Sequence, residues 1–163
     1  MGKLFRITLF CVLLLWTYVC NGQALRGLPV VQNYHPQEYQ SHRQNWDAAQ
    51  APDGTMYFAN GKGLLSFNGE DWELTLMPNR GHVRSLAIDE EGIVYAGGNN
   101  DFGKLSYDEN GQRYFESFLP LVDSVDHSIG RVRQTLVTED GIFYQSFARL
   151  FLYQDGKIKV WRF

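Results

Sequence analysis

The sequence has very few cysteines, and both lie near its start. Of its 163 residues only Cys11 and Cys20 are cysteine, and both fall within an apolar leader. Disulfide frameworks, thiolate metal sites and cysteine nucleophiles all need thiols in the folded part of the chain. Once the leader is removed the chain has none, which excludes these three kinds of site.

The sequence also lacks an excess of basic residues and any sustained helical periodicity. Its formal net charge is −3, whereas a nucleic-acid-binding domain presents a basic face. After the leader, apolar residues do not recur at the spacing of an amphipathic helix. We therefore expect no nucleic-acid partner and little helix.

The first 24 residues have the layout of a secretory signal peptide. Two basic residues precede an apolar run at residues 7–19, and the small residues Gly22 and Ala24 follow. That run is short for a helix that spans a bilayer. We expect residues 1–24 to be cleaved and the protein to be exported to the periplasm. The alternatives are an uncleaved membrane anchor and a lipoprotein attached at Cys20, although bulky residues precede that cysteine.

What the sequence has in abundance is a turn followed by an aromatic strand. Aromatic residues make up 15% of the chain, and Asp-Gly or Asn-Gly turns supply the positive φ that tight hairpins need. Units with two such turns recur about every 40 residues, which is typical of β-propeller blades with four short strands each. The first turn and its tyrosine occur as Asp53-Gly54 with Tyr57, Glu91-Gly92 with Tyr95, and Asp140-Gly141 with Tyr144.

The repeat predicts an all-β fold, a β-propeller of about three four-stranded blades in an incomplete ring. The blades are expected at residues 44–76, 83–118 and 132–163. Residues 25–43 are expected to form an extended lead-in that packs on a blade edge through Tyr34 and Tyr39. In the second blade the predicted strands are 83–89, 93–97, 104–108 and 112–118.

The number of blades bears on the length of the protein. Closed propellers typically have about four to eight blades, and open blade edges invite aggregation. We therefore expect this chain to be the N-terminal piece of a longer protein. The alternative is a short chain that assembles its ring from several copies.

Several runs of residues carry a family resemblance. They are residues 27–46, the run Gly54-Thr55-Met56-Tyr57-Phe58-Ala59-Asn60, and Tyr95-Ala96-Gly97-Gly98 followed by Asp101-Phe102-Gly103. These runs resemble the start of a bacterial family of periplasmic sensor regions, which are built from two-component regulator propeller repeats. The resemblance extends over about residues 27–163. It is looser in the third blade, where Arg149 stands in place of a glycine.

The resemblance implies a role in signal transduction. In that family the propeller is followed by a β-sandwich domain with three tyrosines, a transmembrane helix and a cytoplasmic output, either a histidine kinase or a DNA-binding domain. Many members sense oligosaccharides. The resemblance therefore implies a periplasmic ligand-sensing segment without enzyme activity of its own. Its kinase output, its membrane anchor and the surfaces of a homodimer would belong to the full-length protein.

The long connections of the blades are where we expect a ligand to bind. Because strand direction alternates, the Gly-marked turns lie on one face of the propeller and the longer connections lie on the other. Long loops on a rigid scaffold usually carry binding sites. Their amides, aromatic ring and mixed charge suit an oligosaccharide or another small polar ligand, although ordinary solvated loops have a similar composition. The candidates are Asn60, Arg80, His82, Asn99, Asn100, Asp101, Phe102, Asp123, Asp126 and His127.

A second set of candidates recurs on the innermost strands. Trp46, Arg84 and Arg133 each lie eight residues before the first-turn glycine of their blade. One interpretation has them pointing into the mouth of the channel. The other is a repeated ion pair or carbonyl contact between blades, which the repetition itself favours.

No constellation of residues indicates catalysis or a bound cofactor. His127 near Asp123 and Asp126 lacks a second set of ligands at metal-binding spacing, and no serine lies in a nucleophile elbow. We therefore predict no catalytic residue, metal or cofactor in this segment. Two rival functions stay open: a secreted propeller enzyme (a glycosidase, lyase or quinoprotein) with its active site in further blades, and a secreted interaction module.

Overall fold

The fold consists of three antiparallel four-stranded sheets that follow one another along the chain. The computed structural model describes Gly2 and residues 31–163. The rest of the predicted signal peptide, both cysteines and the start of the lead-in lie outside the described residues. The predicted all-β class, with blades of four strands, is confirmed.

Each sheet is a simple meander in which every strand pairs with the next one in sequence. Blade 1 contains β1 (Asn45–Gln50), β2 (Met56–Asn60), β3 (Gly63–Phe67) and β4 (Trp72–Thr75). Blade 2 contains β5 (Val83–Ile88), β6 (Val94–Gly98), β7 (Phe102–Tyr107) and β8 (Arg113–Ser117). Blade 3 contains β9 (Gln134–Thr138), β10 (Gly141–Gln145), β11 (Arg149–Gln154) and β12 (Lys157–Arg162).

The innermost strands of the three blades lie side by side. β1 contacts β5, and β5 contacts β9. Between the first two blades, the backbone N–H of Leu86 donates to the Asp47 carboxylate at 3.0 Å. Between the second and third, the buried hydroxyls of Ser85 and Thr135 lie 2.8 Å apart. These contacts align the strands, so the turns of all three blades lie on one face.

Apolar side chains fill the two spaces between neighbouring blades. Full burial of one such side chain stabilises the fold by about 1.5–3 kcal/mol. Between blades 1 and 2 lie Tyr57, Leu64, Met77, Val83, Leu86, Val94, Leu105 and Phe115. Between blades 2 and 3 lie Tyr95, Phe102, Phe118, Val122, Ile129, Val132, Ile142, Tyr144 and Phe151.

The three repeat tyrosines are all buried, but they are not equivalent. Five residues, including Gly54 or Gly92 at positive φ, join β1 to β2 and β5 to β6. In blade 3 only Glu139 and Asp140 separate the paired residues Thr138 and Gly141. Because side chains alternate along a strand, this shorter turn changes which face the following residues take. Tyr57 and Tyr95 face the following blade, whereas Tyr144 faces the preceding one.

The lead-in is not extended throughout, which corrects the expectation for the part of it that the structure describes. A one-turn helix, α1 (Pro36–Tyr39), begins after His35, whose backbone N–H donates to the Glu38 carboxylate at 2.7 Å. The Tyr34 and Tyr39 rings each lie 5.2 Å from the ring of Trp72 on the outermost strand of blade 1. Aromatic pairs at this distance each contribute about 0.5–1.5 kcal/mol beyond their burial.

The connection from blade 2 to blade 3 contains two short 3₁₀ helices, Leu119–Leu121 and Ser124–Asp126. Asp126 is buried and accepts hydrogen bonds from Arg162 at 2.6 and 2.8 Å and from Arg149 at 3.1 Å. This ion-pair cluster attaches the connection to the outer strands of blade 3. Within the part of the chain that the structure describes, no helix is long and apolar enough to cross a membrane.

Candidate functional site

The site lies where the innermost strands begin, on the face that carries the longer connections. We call this face the loop face; it comprises residues 41–46, 61–62, 76–84, 99–101, 118–133 and 146–148. The pairing of β1 with β2 is irregular at Trp46, and that of β5 with β6 is irregular at Arg84. Such irregularities re-aim side chains and occur often beside functional sites. Arg133 takes the corresponding place ahead of β9, where its backbone N–H donates to Gln145.

Trp46, His82 and Arg84 form one stack across the boundary between blades 1 and 2. The guanidinium carbon of Arg84 lies 3.7 Å from the centre of the Trp46 ring. The His82 ring lies 5.6 Å from the Trp46 ring at an interplanar angle of 21°, and its Nδ1 is 3.5 Å from an Arg84 amino group. His42 extends the stack, with its ring centre 6.5 Å from that of His82. Stacking holds the Arg84 guanidinium in a defined plane.

The stack retains unused hydrogen-bonding capacity. Arg84 forms no ion pair with any described residue. Its Nε is shielded from water without an acceptor, and so is the amide oxygen of Asn99 without a donor. A shielded polar atom without a partner costs about 1–3 kcal/mol. Burial lowers the pKa of Arg84, and the neighbouring positive charge of Arg131 lowers it further.

Charge is segregated between the two faces of the propeller. The turns opposite the loop face, at 51–55, 68–71, 89–93, 108–112, 139–140 and 155–156, contain no basic residue. Their acidic residues are Asp53, Glu70, Asp71, Asp89, Glu90, Glu91, Asp108, Glu109, Glu139, Asp140 and Asp155. The loop face has six basic residues and three acidic ones: Arg43, Lys62, Arg80, Arg84, Arg131 and Arg133, against Asp101, Asp123 and Asp126. The surface around Trp46 is therefore a positive region on a chain whose net charge is negative.

The structure assigns internal contacts to several of the predicted ligand-binding residues. Asn60 is the last residue of β2 and is fully buried. Its side-chain amide forms hydrogen bonds with Ser41, His42, Asn45 and Lys62. Asn60 therefore attaches the lead-in to blade 1. Its burial among five hydrogen bonds removes it from the surface available to a ligand.

Asp101, Phe102 and Asp126 are also internal. The Asp101 carboxylate accepts hydrogen bonds from the Ser117 hydroxyl and the Phe102 backbone, and burial raises its pKa. Phe102 was expected in a loop, but it begins β7 and is fully buried between blades 2 and 3. Hydrogen bonds from Arg162 lower the pKa of Asp126, the centre of the ion-pair cluster. None of the three is free to bind a ligand.

The remaining predicted residues lie at the surface of the loop face. Arg80 and His127 are exposed, and the His127 Nε2 lies 2.8 Å from the Val122 carbonyl. Asn100 has a positive φ, and its amide oxygen accepts from the Gly130 backbone at 2.9 Å. Asn99 pairs with Arg131 in a short β-bridge. Of the predicted set, the structure brings together Trp46, His82 and Arg84, and Asn99 joins them through its backbone N–H, which donates to the His82 carbonyl at 3.0 Å.

Sequence reasoning missed His42 and Arg131, which belong to the same surface. Both lie in the segments that lead into an innermost strand, a few residues before Trp46 and Arg133 respectively. His82 stands in the corresponding segment before Arg84. A search for polar residues just upstream of each innermost strand would have found all three. His42 lies in the lead-in, outside the repeat, so the repeat pattern does not reveal it.

A cleft lies elsewhere, between α1 and the outer strands of blade 1. Its volume is about 470 Å³, and its walls include Glu38, Tyr39, Lys62 and Trp72. The ammonium group of Lys62 there donates to the Gln40 carbonyl at 3.1 Å. We place the site at the stack on Trp46 because the Arg84 guanidinium there has no ion-pair partner among the described residues. Among the described residues, no group of His, Cys, Asp and Glu is arranged to hold a metal ion.

No protein-family model matches this chain, and no curated protein matches it.

Proposed function

We propose that this chain is the ligand-sensing propeller segment of an exported bacterial signal-transduction regulator, and that its ligand is an oligosaccharide or a comparable polar molecule. The ligand binds on the loop face at the stack formed by Trp46, His82 and Arg84. The segment binds without catalysis, and transmission of the signal belongs to parts of the full-length protein outside this chain.

The stack is the observation that carries this proposal. A sugar ring offers C–H groups to an aromatic surface and hydroxyls to planar hydrogen-bonding groups. Trp46 and His82 supply aromatic rings, while the guanidinium of Arg84, which forms no ion pair among the described residues, supplies N–H donors. Trp46 and Arg84 belong to the strands β1 and β5, and binding sites on such rigid elements keep their geometry. The resemblance to periplasmic sensor regions supplies the class of ligand, by analogy of fold and motif.

Binding is measured by titrating the full chain with a panel of oligosaccharides while tryptophan fluorescence is recorded. We expect one saccharide class to change the emission and Trp46→Ala to abolish the response. Trp161→Ala is the matched control, because Trp161 lies beneath Lys159 on β12, the outermost strand of blade 3, whereas the stack lies at the innermost strands of blades 1 and 2. Loss of the response in the control but not in Trp46→Ala would overturn the placement of the site.

Two further measurements separate sensing from the rival functions. Incubation of each bound saccharide with the protein should leave it intact by mass spectrometry, whereas cleaved product would indicate a propeller enzyme. Fractionation of cells that express the chain should place a product lacking residues 1–24 in the periplasm. Recovery of only uncleaved protein in the cytoplasm would contradict export.

A further inference from the structure

The loop face carries several positive charges near the stack, whereas its exposed carboxylate, Asp123, lies in the connection from blade 2 to blade 3, near Arg162. Arg84 lies at the start of β5, and two further arginines, Arg131 and Arg133, lie just before the neighbouring strand β9. Arg131 is close enough to lower the pKa of Arg84. Like charges held together without a counter-charge destabilise each other. A bound anion would relieve that repulsion.

The carboxylates of Asp47, Asp101 and Asp126 are occupied by other partners. Asp47, next to Trp46, accepts hydrogen bonds from the backbone N–H groups of Ala48 and Leu86. Asp101 is buried against Ser117, and Asp126 is held by two arginines outside the stack. These groups neutralise neither Arg84 nor Arg131 through an ion pair.

The geometry of Arg84 suits an anion with two oxygens. Its flat face rests on Trp46 at 3.7 Å, which leaves the N–H groups in the plane of the guanidinium for other partners. Arginine binds carboxylate, sulfate and phosphate groups through two parallel N–H bonds at this edge. Stacking orients the paired N–H donors of the guanidinium, its fork, before the ligand arrives, so less side-chain entropy is lost on binding.

We propose that the ligand of this site is an acidic saccharide, whose carboxylate or sulfate group binds the edge of Arg84 with Arg131 beside it, while its ring lies against Trp46 and His82. This inference rests on the proposed function and narrows its ligand class. The shared chemistry is an anionic group with two or more oxygens on a sugar ring.

The test compares ligands of equal length that differ in charge. Calorimetry measures the binding of five ligands to the full chain. Two are acidic saccharides, trigalacturonic acid and a sulfated disaccharide, and two are the neutral trisaccharide and disaccharide of matching length. The fifth is inorganic sulfate. We expect each acidic saccharide to bind about ten- to a hundredfold more tightly than its neutral counterpart, because a hydrogen bond to a charged group contributes about 1.5–3 kcal/mol. The stronger of the two acidic ligands identifies the anionic group.

Variants then assign the preference to Arg84. Arg84→Gln should remove the difference between acidic and neutral ligands, and Arg84→Lys, which keeps the charge but loses the fork, should retain only part of it. Lys159→Gln removes a positive charge that lies over Trp161 on the far strand of blade 3, and it should leave the preference intact. Unchanged circular dichroism verifies that each variant is folded.

The outcomes distinguish this inference from the proposed function. Equal binding of acidic and neutral saccharides, with no effect of Arg84→Gln, would overturn the acidic ligand and leave saccharide sensing in place. Inorganic sulfate that binds as tightly as the acidic saccharides would show that the ring is not recognised, and would also overturn it. If no saccharide binds at all, the proposed function itself fails.

Discussion

The buried hydroxyl pair between Ser85 and Thr135 allows a quantitative test of how blades 2 and 3 pack. Ser85 is 2% exposed and Thr135 is 5% exposed, and their hydroxyl oxygens lie 2.8 Å apart. Neither hydroxyl has another side-chain or backbone partner among the described residues. The perturbation is a double-mutant cycle of Ser85→Ala, Thr135→Val and the two combined, in which valine keeps the shape of threonine.

The expected changes in the free energy of unfolding differ between the single and double variants, because losing one partner of a buried hydrogen bond costs more than replacing both. Either single substitution leaves one hydroxyl buried without a partner, which costs about 1–3 kcal/mol. The double substitution replaces both polar groups with apolar groups of similar shape and is expected to be close to neutral. The sum of the single effects therefore exceeds the double effect by about 2 kcal/mol or more, a coupling typical of residues in direct contact.

Urea unfolding followed by circular dichroism measures this coupling as a difference in the free energy of unfolding. The slope of that free energy with urea should stay constant across the four proteins, so that shifts in midpoint report stability alone. Single effects that add within about 0.5 kcal/mol are the behaviour of distant, independent sites. Additivity of that kind would refute the packing of β5 against β9.

Three further predictions concern other contacts. Asp126→Asn should lower the melting temperature at pH 7. Hydrogen bonds from Arg162 lower the pKa of Asp126 in the folded protein. The ionised carboxylate therefore stabilises the fold fully above about pH 4, and this stabilisation is lost as the pH falls further. The difference from wild type should therefore shrink in acid, and a constant difference would contradict the ion pair. Tyr144→Phe removes the buried hydroxyl that donates to the Gly103 carbonyl at 2.8 Å, and it should lower the melting temperature by about 2–4 °C per kcal/mol lost. Trp72→Ala should release the lead-in, seen as faster proteolysis near α1 with an unchanged strand signal; unchanged proteolysis would argue against the aromatic contacts.

Much of the fold was predictable because its signals are local. Asp-Gly and Asn-Gly turns require a positive φ that glycine adopts freely, and short β-branched or aromatic segments between them favour strands. These signals placed the three blades and most strand ends within a few residues. β7 begins two residues earlier than predicted, at Phe102, inside the predicted loop. The buried positions of Phe102 and Gly103 in a two-sided sheet decide that boundary.

The candidate site was only partly predictable. Trp46, His82, Arg84 and Asn99 were identified from their register or from their loop, but nothing local connects them. Asn60 and Asp101 have the composition of binding residues, and yet they satisfy neighbouring backbone and hydroxyl groups in the interior. The partners that hold these two side chains inside the fold include residues 15 to 19 positions away in sequence, which a linear pattern does not reveal.

The sequence by itself determined the repeat, the all-β class and the four-strand blade, because turn geometry and strand preference depend on a few adjacent residues. The tertiary structure alone decided two other properties. It turned Tyr144 towards the preceding blade, because the shorter turn at Glu139–Asp140 shifts the alternation of side chains. It also placed Arg84 on the Trp46 ring across two blades, with no acidic partner among the described residues. Packing between blades, which joins residues far apart in the chain, is the physical reason for both.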